Sequence, residues 1–272
     1  MSQVLTPHAL LDHAAVLESG RPTFTAWIGM TDPMLPNILA LEDFDSITID
    51  MQHGMHDTRS VLTGISMAAL AGKPAFVRIP VGDFTFASRA LDFGAMGVIA
   101  PMINSVADAK AFASFTKYPP MGDRSWGPMR AIPLTGLTLN EYLKVANSHT
   151  TTLAMIETRE ALAALDDILA VPGIDGVFVG PSDLSIALNN GAKVDAVSPE
   201  MDKALDHVLA RAKAHGKLAT AFCITGEKAG ELARRGYAML TIFHDVGLIQ
   251  AGARAELQKA RGALKQVGKQ SY

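Results

Sequence analysis

From residue 23 onward the chain repeats one alternation. A short run of β-branched, aromatic and aliphatic residues gives way to a longer stretch whose apolar positions recur every three to four residues. The runs TFTAWIGM (23–30), SITIDMQ (46–52), AFVRIP (75–80), GVIAPMI (97–103), TTLAMIE (151–157), GVFVGP (176–181), KLATAFC (217–223) and MLTIFHD (239–245) are predicted strands. Their nearly continuous apolar character is that of strands buried on both faces, as in a parallel sheet covered by helices. Helices are predicted over 58–71, 84–92, 105–116, 159–169, 199–215, 226–235 and about 246–266, with an amphipathic helix over 1–20 and a short helical stretch near 138–147. Gly72, Gly173, Gly216 and Gly236 stand where a helix ends ahead of a strand. Eight strands with intervening helices predict a closed (β/α)8 barrel, one domain over residues 1–272, with the N-terminal helix plugging its bottom. The rival doubly wound fold needs a GxGxxG after the first strand, and none is present.

Residues 118–136, YPPMGDRSWGPMRAIPLTG, interrupt the alternation. A Pro/Gly-rich insertion of that length is expected to be a lid or binding loop on the catalytic side of strand four. Composition narrows the partners. The 272 residues carry a net charge of −3 and a pI near 6.2, which disfavours nucleic acid and anionic membrane. The single cysteine, Cys223, can form no internal disulfide. No apolar run reaches the roughly 18 to 20 residues of a membrane span. The first twenty residues lack a basic start and place Asp12, His13 and Glu18 where a signal peptide needs an apolar core, so a cytoplasmic protein is expected.

Active sites of such barrels lie at the carboxyl ends of the strands. Glu157 in IET and Asp183 in GPSD close two successive strands and offer only oxygen ligands. Two carboxylates there suit a hard divalent ion that keeps open water positions, and no HxxxH or HExxH offers a zinc site. Asp183, ahead of LSIAL, also reads as a helix N-cap. His53, just past strand two, is a candidate general base with Asp50 as the acid that orients it. Arg78 ends strand three and can grip a substrate carboxylate bidentately, or pair structurally with Asp50 or Glu157. The helix start GPSD, whose Gly180, Pro181 and Ser182 are candidates to contact substrate, can offer the Gly180 and Ser182 N–H groups to a carboxylate or phosphate. Arg124, Ser125 and Trp126 are candidates to close over substrate, whereas His56, His149, His207 and His215 fall in loop or helix-surface patterns.

The strings DMQHG, VRIP, IETREA and GPSDLS, in that order over about residues 22–262, resemble the class II pyruvate aldolases of the HpcH/HpaI family. The resemblance implies a (β/α)8 barrel in a homo-hexamer with exchanged C-terminal helices. It implies Mg²⁺, Mn²⁺ or Co²⁺ held at Glu157 and Asp183, and a 2-keto acid such as pyruvate bound through the metal and Arg78. It further implies proton transfer by His53 with Asp50, and a role for Asp92 in a neighbouring subunit's site. The implied reaction joins or cleaves a 2-keto acid and an aldehyde at a metal-stabilised enolate. A malyl-CoA or citrate-lyase type of C–C lyase, or an oxaloacetate decarboxylase, would use the same residues. Three departures from the pattern bear on the acceptor: Gln52 replaces a usual glutamate, Met155 a common glutamine, and Ser125–Trp126 interrupt a usual GxRGxGxxRA.

Overall fold

All eight predicted runs form strands of one closed parallel barrel, paired in chain order with β8 returning to β1. They are β1 (Thr23–Ile28), β2 (Ser46–Asp50), β3 (Ala75–Arg78), β4 (Gly97–Ala100), β5 (Thr151–Ile156), β6 (Gly176–Val179), β7 (Leu218–Ala221) and β8 (Met239–His244). The structure, a computed structural model, describes residues 8–269. Every strand stops earlier than its apolar run, because the last residues of each run leave the ladder to build loops at the barrel mouth.

The helices are α1 (His8–Glu18), α2 (Leu35–Ala40), α3 (Thr58–Leu70), α4 (Phe84–Asp92), α5 (Val106–Thr116), α6 (Ala131–Thr135), α7 (Leu139–His149), α8 (Arg159–Ala163), α9 (Leu165–Leu169), α10 (Pro181–Leu188), α11 (Pro199–Ala214), α12 (Gly226–Arg235) and α13 (Asp245–Lys269). Three departures stand out, one of them the short α6, which lies inside the segment 118–136 expected to be a loop. The stretch 159–169 is two short helices meeting at Ala164, whose ψ of 5° breaks the helical path. Helix α2 escapes the periodic pattern because six residues span less than two turns.

Period-two alternation sorts the strand side chains into two cores. Ile47, Ile49, Val77, Ala154 and Ile156 face outward into the layer beneath the helices. Trp27, Phe76, Ile99, Leu153, Met155, Phe178 and Met239 fill the lumen, joined from below by Leu17 of α1. His13 of α1 meets Phe76 edge-on with ring centroids 5.3 Å apart, so α1 closes the end at the strands' amino termini. Residues 1–7 of that predicted helix lie outside the described residues.

The insertion is on the other side from the one expected. It follows α5, which runs back down the barrel, and so leaves from the bottom. At its start Lys117 Nζ donates to the Thr150 carbonyl, beside the first residue of β5, at 2.6 Å, to the Asn147 carbonyl at 2.8 Å and to Asp175 at 2.7 Å. Loop length alone carried no information about which end of the barrel the loop serves. At the C-terminus α13 leaves the barrel, and residues 249–262 are exposed in the single chain. No helix among the described residues is long and apolar enough to cross a membrane.

Candidate active site

The alternation that fills the lumen also selects what stands at its mouth. Phe76, Met155 and Phe178 point inward, so two residues further along their strands Arg78, Glu157 and Gly180 do too. Asp50 is the registered neighbour of Arg78 across β2 and β3. Asp50, Arg78 and Gly180 line a cavity of about 400 Å³, floored by Trp27, Met155, Phe178 and Phe222 and bordered by His53, Asp183 and His244, with Glu157 behind Gly180.

Arg78 and Asp50 form a bidentate pair, with Nε to Oδ1 at 2.8 Å and Nη2 to Oδ2 at 2.6 Å. Both side chains are buried, and the guanidinium carbon lies 4.8 Å from the centroid of the Trp27 ring. Trp27 Nε1 also donates to Asp50 Oδ2 at 3.2 Å. Burial by itself would raise the Asp50 carboxyl, but the hydrogen bonds and charge of Arg78, aided by the His53 amide and Trp27, outweigh it and hold the group below the usual range. The carboxylate held by Arg78's fork is therefore Asp50's, and Nη1 is the guanidinium nitrogen left for a ligand.

This pairing corrects the expected His53–Asp50 dyad. Asp50 Oδ1 accepts from the main-chain N–H of His53 at 3.3 Å and of Gln52 at 3.0 Å. The imidazole itself is exposed and makes no hydrogen bond among the described residues. Asp50 thus shapes the His53 loop while Arg78 takes both its oxygens. Gly54 locks that loop against the one after β1: a Cβ there would stand 3.0 Å from the Gly29 main chain, and Met55 N–H already donates to the Gly29 carbonyl at 2.8 Å.

Glu157 is 2% exposed. Its Oε1 accepts from Met102 N–H at 2.8 Å, an amide aimed by the left-handed backbone of Met102 at φ 56°. Its Oε2 lies against Gly180, where an added Cβ would come within 2.5 Å of it. Asp183 is exposed in the first turn of α10, three residues past the N-cap Gly180, which corrects its reading as the N-cap. Burial raises the Glu157 carboxyl, and the charge of Asp183 adds to this against the Met102 N–H and the more distant Arg78. A buried carboxyl whose ionisation is opposed by burial and by a second acid beside a cavity fits a divalent cation of oxygen chemistry. No group of three or more His, Cys, Asp or Glu converges among the described residues, so the protein would supply two carboxylates and leave the other positions to water and substrate. Beside them the Ser182 and Asp183 amides precede the first intrahelical bond of α10, from Leu184 N–H to the Gly180 carbonyl at 3.0 Å, and Pro181 starts the helix with no N–H to lose.

Asp92 and Arg124 stand apart from this group. Asp92 ends α4 at the bottom of the barrel, where Arg124 Nη2 donates to its Oδ1 at 2.6 Å. Arg124 is buried with its guanidinium carbon 4.5 Å from the Tyr118 ring centroid, and Trp126 packs on Tyr118 and Tyr142. Within one chain Arg124 therefore neither borders the cavity nor closes over it, and neither does Asp92. His56 is likewise not a surface residue but is buried, with Nδ1 3.2 Å from Ser60 Oγ.

Sequence reasoning passed over His244 and Asp245. The signal was available, since the run MLTIFHD places a histidine and an acid at the end of strand eight as DMQH does at strand two. Among the described residues no lysine borders the cavity, and the deeply buried Lys117 is held at the opposite end.

Comparison with known proteins agrees with this geometry. The family model described as HpcH/HpaI aldolase/citrate lyase matches residues 23–251. A hydroxypyruvate/pyruvate aldolase of Rhizorhabdus wittichii is 40% identical over 242 residues, covering 89% of this chain and 95% of the relative. A 4-hydroxy-2-oxo-heptane-1,7-dioate aldolase of Salmonella typhimurium is 32% identical over 239 residues, 88% and 90% of the two chains. The crystal structure of an HpcH/HpaI aldolase/citrate lyase family protein from Burkholderia cenocepacia superposes with a TM-score of 0.83 at 28% identity, covering 92% of this chain and 99% of that one.

Proposed function

The chain belongs to the HpcH/HpaI aldolase/citrate lyase family and is a carbon–carbon lyase, and from that premise we propose a divalent-metal-dependent aldolase. It would cleave or form 4-hydroxy-2-keto acids, with pyruvate or a related 2-keto acid and an aldehyde as the two halves. The observation that carries this reading is Glu157 set against Gly180 and within electrostatic reach of Asp183, beside a cavity that Gly180, Asp183 and Arg78 line.

Glu157 and Asp183 would hold Mg²⁺, Mn²⁺ or Co²⁺. A bound ion of this kind supplies Lewis-acid stabilisation of the negative charge that develops on a keto oxygen. Arg78 Nη1 and the amides at the start of α10 bind and orient the keto-acid carboxylate. Asp50 holds the guanidinium against the Trp27 ring, so the donor is set before substrate arrives. In cleavage His53 takes the proton of the C4 hydroxyl, the C3–C4 bond breaks, its electrons stay with the three-carbon fragment, and the aldehyde departs. A proton then returned to C3 gives pyruvate. That no lysine among the described residues lines the cavity wall favours this route over a Schiff base. The long exposed α13 supports assembly into the homo-hexamer that the resemblance implies.

The test is pyruvate release from a panel of 4-hydroxy-2-keto acids before and after chelation. Exhaustive EDTA treatment is expected to abolish release, and Mg²⁺, Mn²⁺ or Co²⁺ to restore it in the native chain but not in Glu157→Gln. Full activity after chelation, or trapping of a lysine adduct by borohydride, would overturn the reading.

A further inference from the structure

The end of β8 is built irregularly, and the irregularity decides which side chain reaches the cavity. Along β8 Met239 faces the lumen, so period-two alternation would turn Thr241 and then Phe243 inward and His244 outward. Instead the β1–β8 register slips. Thr25 pairs with Thr241, but Trp27, only two residues on, pairs with His244, three residues on. The extra residue is a β-bulge, and it reverses the parity of everything beyond it. Phe243 takes the left-handed conformation at φ 57°, uncommon for a bulky side chain. His244 then borders the cavity and Phe243 does not.

The surroundings hold this arrangement in place. The Phe243 ring lies against His244 with centroids 4.4 Å apart, in space that exists only because residue 247 is glycine. The next residue, Asp245, is 1% exposed and accepts from Gly29 N–H at 2.9 Å and Met30 N–H at 2.8 Å. Gly247 N–H donates to His244 Nδ1 at 3.3 Å, so the neutral ring carries its proton on Nε2. The His244 side chain is 41% exposed, and its Nε2 has no protein partner among the described residues. A strained residue, a register slip and a fixed tautomer together present one N–H donor at an otherwise apolar stretch of wall, between Phe222 of the β7 end and Gly29 of the β1 end.

The position in the barrel says which reactant that donor meets. Arg78, Glu157 and Asp183, which would hold the keto acid, come from the ends of β3, β5 and β6. His244 comes from β8, across the mouth, where the second reactant has room. Building on the aldolase reading, we propose that His244 is a specificity-determining residue. Its Nε2–H donates to an oxygen carried by the acceptor aldehyde beside its carbonyl, selecting hydroxylated aldehydes over alkyl ones of the same size.

The test compares glycolaldehyde with propionaldehyde as acceptors for pyruvate, with Mg²⁺ added, as the ratio of their kcat/KM values. Both reactions share the step that activates pyruvate, so the ratio cancels any change there. The native chain is expected to favour glycolaldehyde. His244→Ala should lower the ratio by roughly three- to tenfold, the worth of one neutral hydrogen bond, and His244→Gln, which keeps a terminal N–H donor, should restore most of it. Should the alanine variant fail to fold, His244→Leu fills similar volume without a polar atom and is expected to lower the ratio equally. A native enzyme with no preference, an unchanged ratio, or a ratio that glutamine does not restore overturns the proposal. Exchange of the pyruvate methyl protons in D₂O by the native chain separates the two readings: without it the aldolase reading fails and this inference falls with it, whereas exchange with an unmoved ratio overturns the inference alone.

Discussion

The two ends of this barrel bury charge in opposite ways. At the bottom the charges are closed off by the chain itself. Lys117 is fully buried but donates to two carbonyls and Asp175, and Arg124 is sealed between Asp92 and Tyr118. Such groups lock the insertion and α7 to the barrel, and although Arg124 Nε and Nη1 are buried without a hydrogen-bond partner, they do not border the mouth cavity. At the mouth the protein leaves polar groups short. Glu157 is held above its ordinary range with Asp183 close by, Arg78 keeps one nitrogen uncommitted, and His53 and His244 each present a ring to the cavity. A count of buried charges would rank the two ends alike. Polar groups that open onto a cavity are what mark the functional one.

The largest effect expected from breaking this contrast is at His53. Its ring makes no hydrogen bond among the described residues, so His53→Ala should leave thermal stability unchanged while lowering aldol turnover by roughly 10²- to 10⁴-fold, the range for a positioned general base. Oxaloacetate decarboxylation requires no proton from a hydroxyl and should fall less. Equal loss in both reactions would make His53 an organiser of the site.

Arg78→Ala should instead cost both properties, because the buried Asp50 loses its partner. A decrease in unfolding free energy of about 3 to 5 kcal/mol is expected from denaturant titration near pH 7. Pyruvate affinity should weaken in the fraction that stays folded. Unchanged stability would show that water reaches Asp50 and that the mouth is wetter than its burial suggests.

The smallest effect, at the bottom, is a pH dependence. Burial holds His13 down from 6.5 to about 4. Above pH 6.5 neither the folded nor the unfolded chain binds that proton. Between 6.5 and 4 the unfolded chain does and the folded one does not, so stability falls on acidification. At 1.36 kcal/mol per pH unit the loss sums to roughly 3 kcal/mol. His13→Leu should remove that component when urea unfolding is compared at pH 7 and pH 4.5. An identical pH dependence in the variant would mean that His13 charges inside the fold.

Much of this was legible in the chain because it is local. Apolar runs of strand length located all eight strands, and the rule that barrels work at strand ends singled out Asp50, His53, Arg78, Glu157 and Asp183, all of which the fold brings to one mouth. What the chain by itself determined was the set of elements and the chemistry at their ends, since both follow from periods of two and 3.6 residues that neighbours in sequence enforce. Tertiary structure decided the rest. It gave Asp50 to Arg78 in place of the His53 ring, carried Arg124 and the insertion to the bottom, and exchanged Phe243 for His244 at the cavity wall through one slipped residue. Each of those outcomes depends on which distant groups compete for the same space or the same hydrogen bond, and spacing along a single chain does not encode that competition.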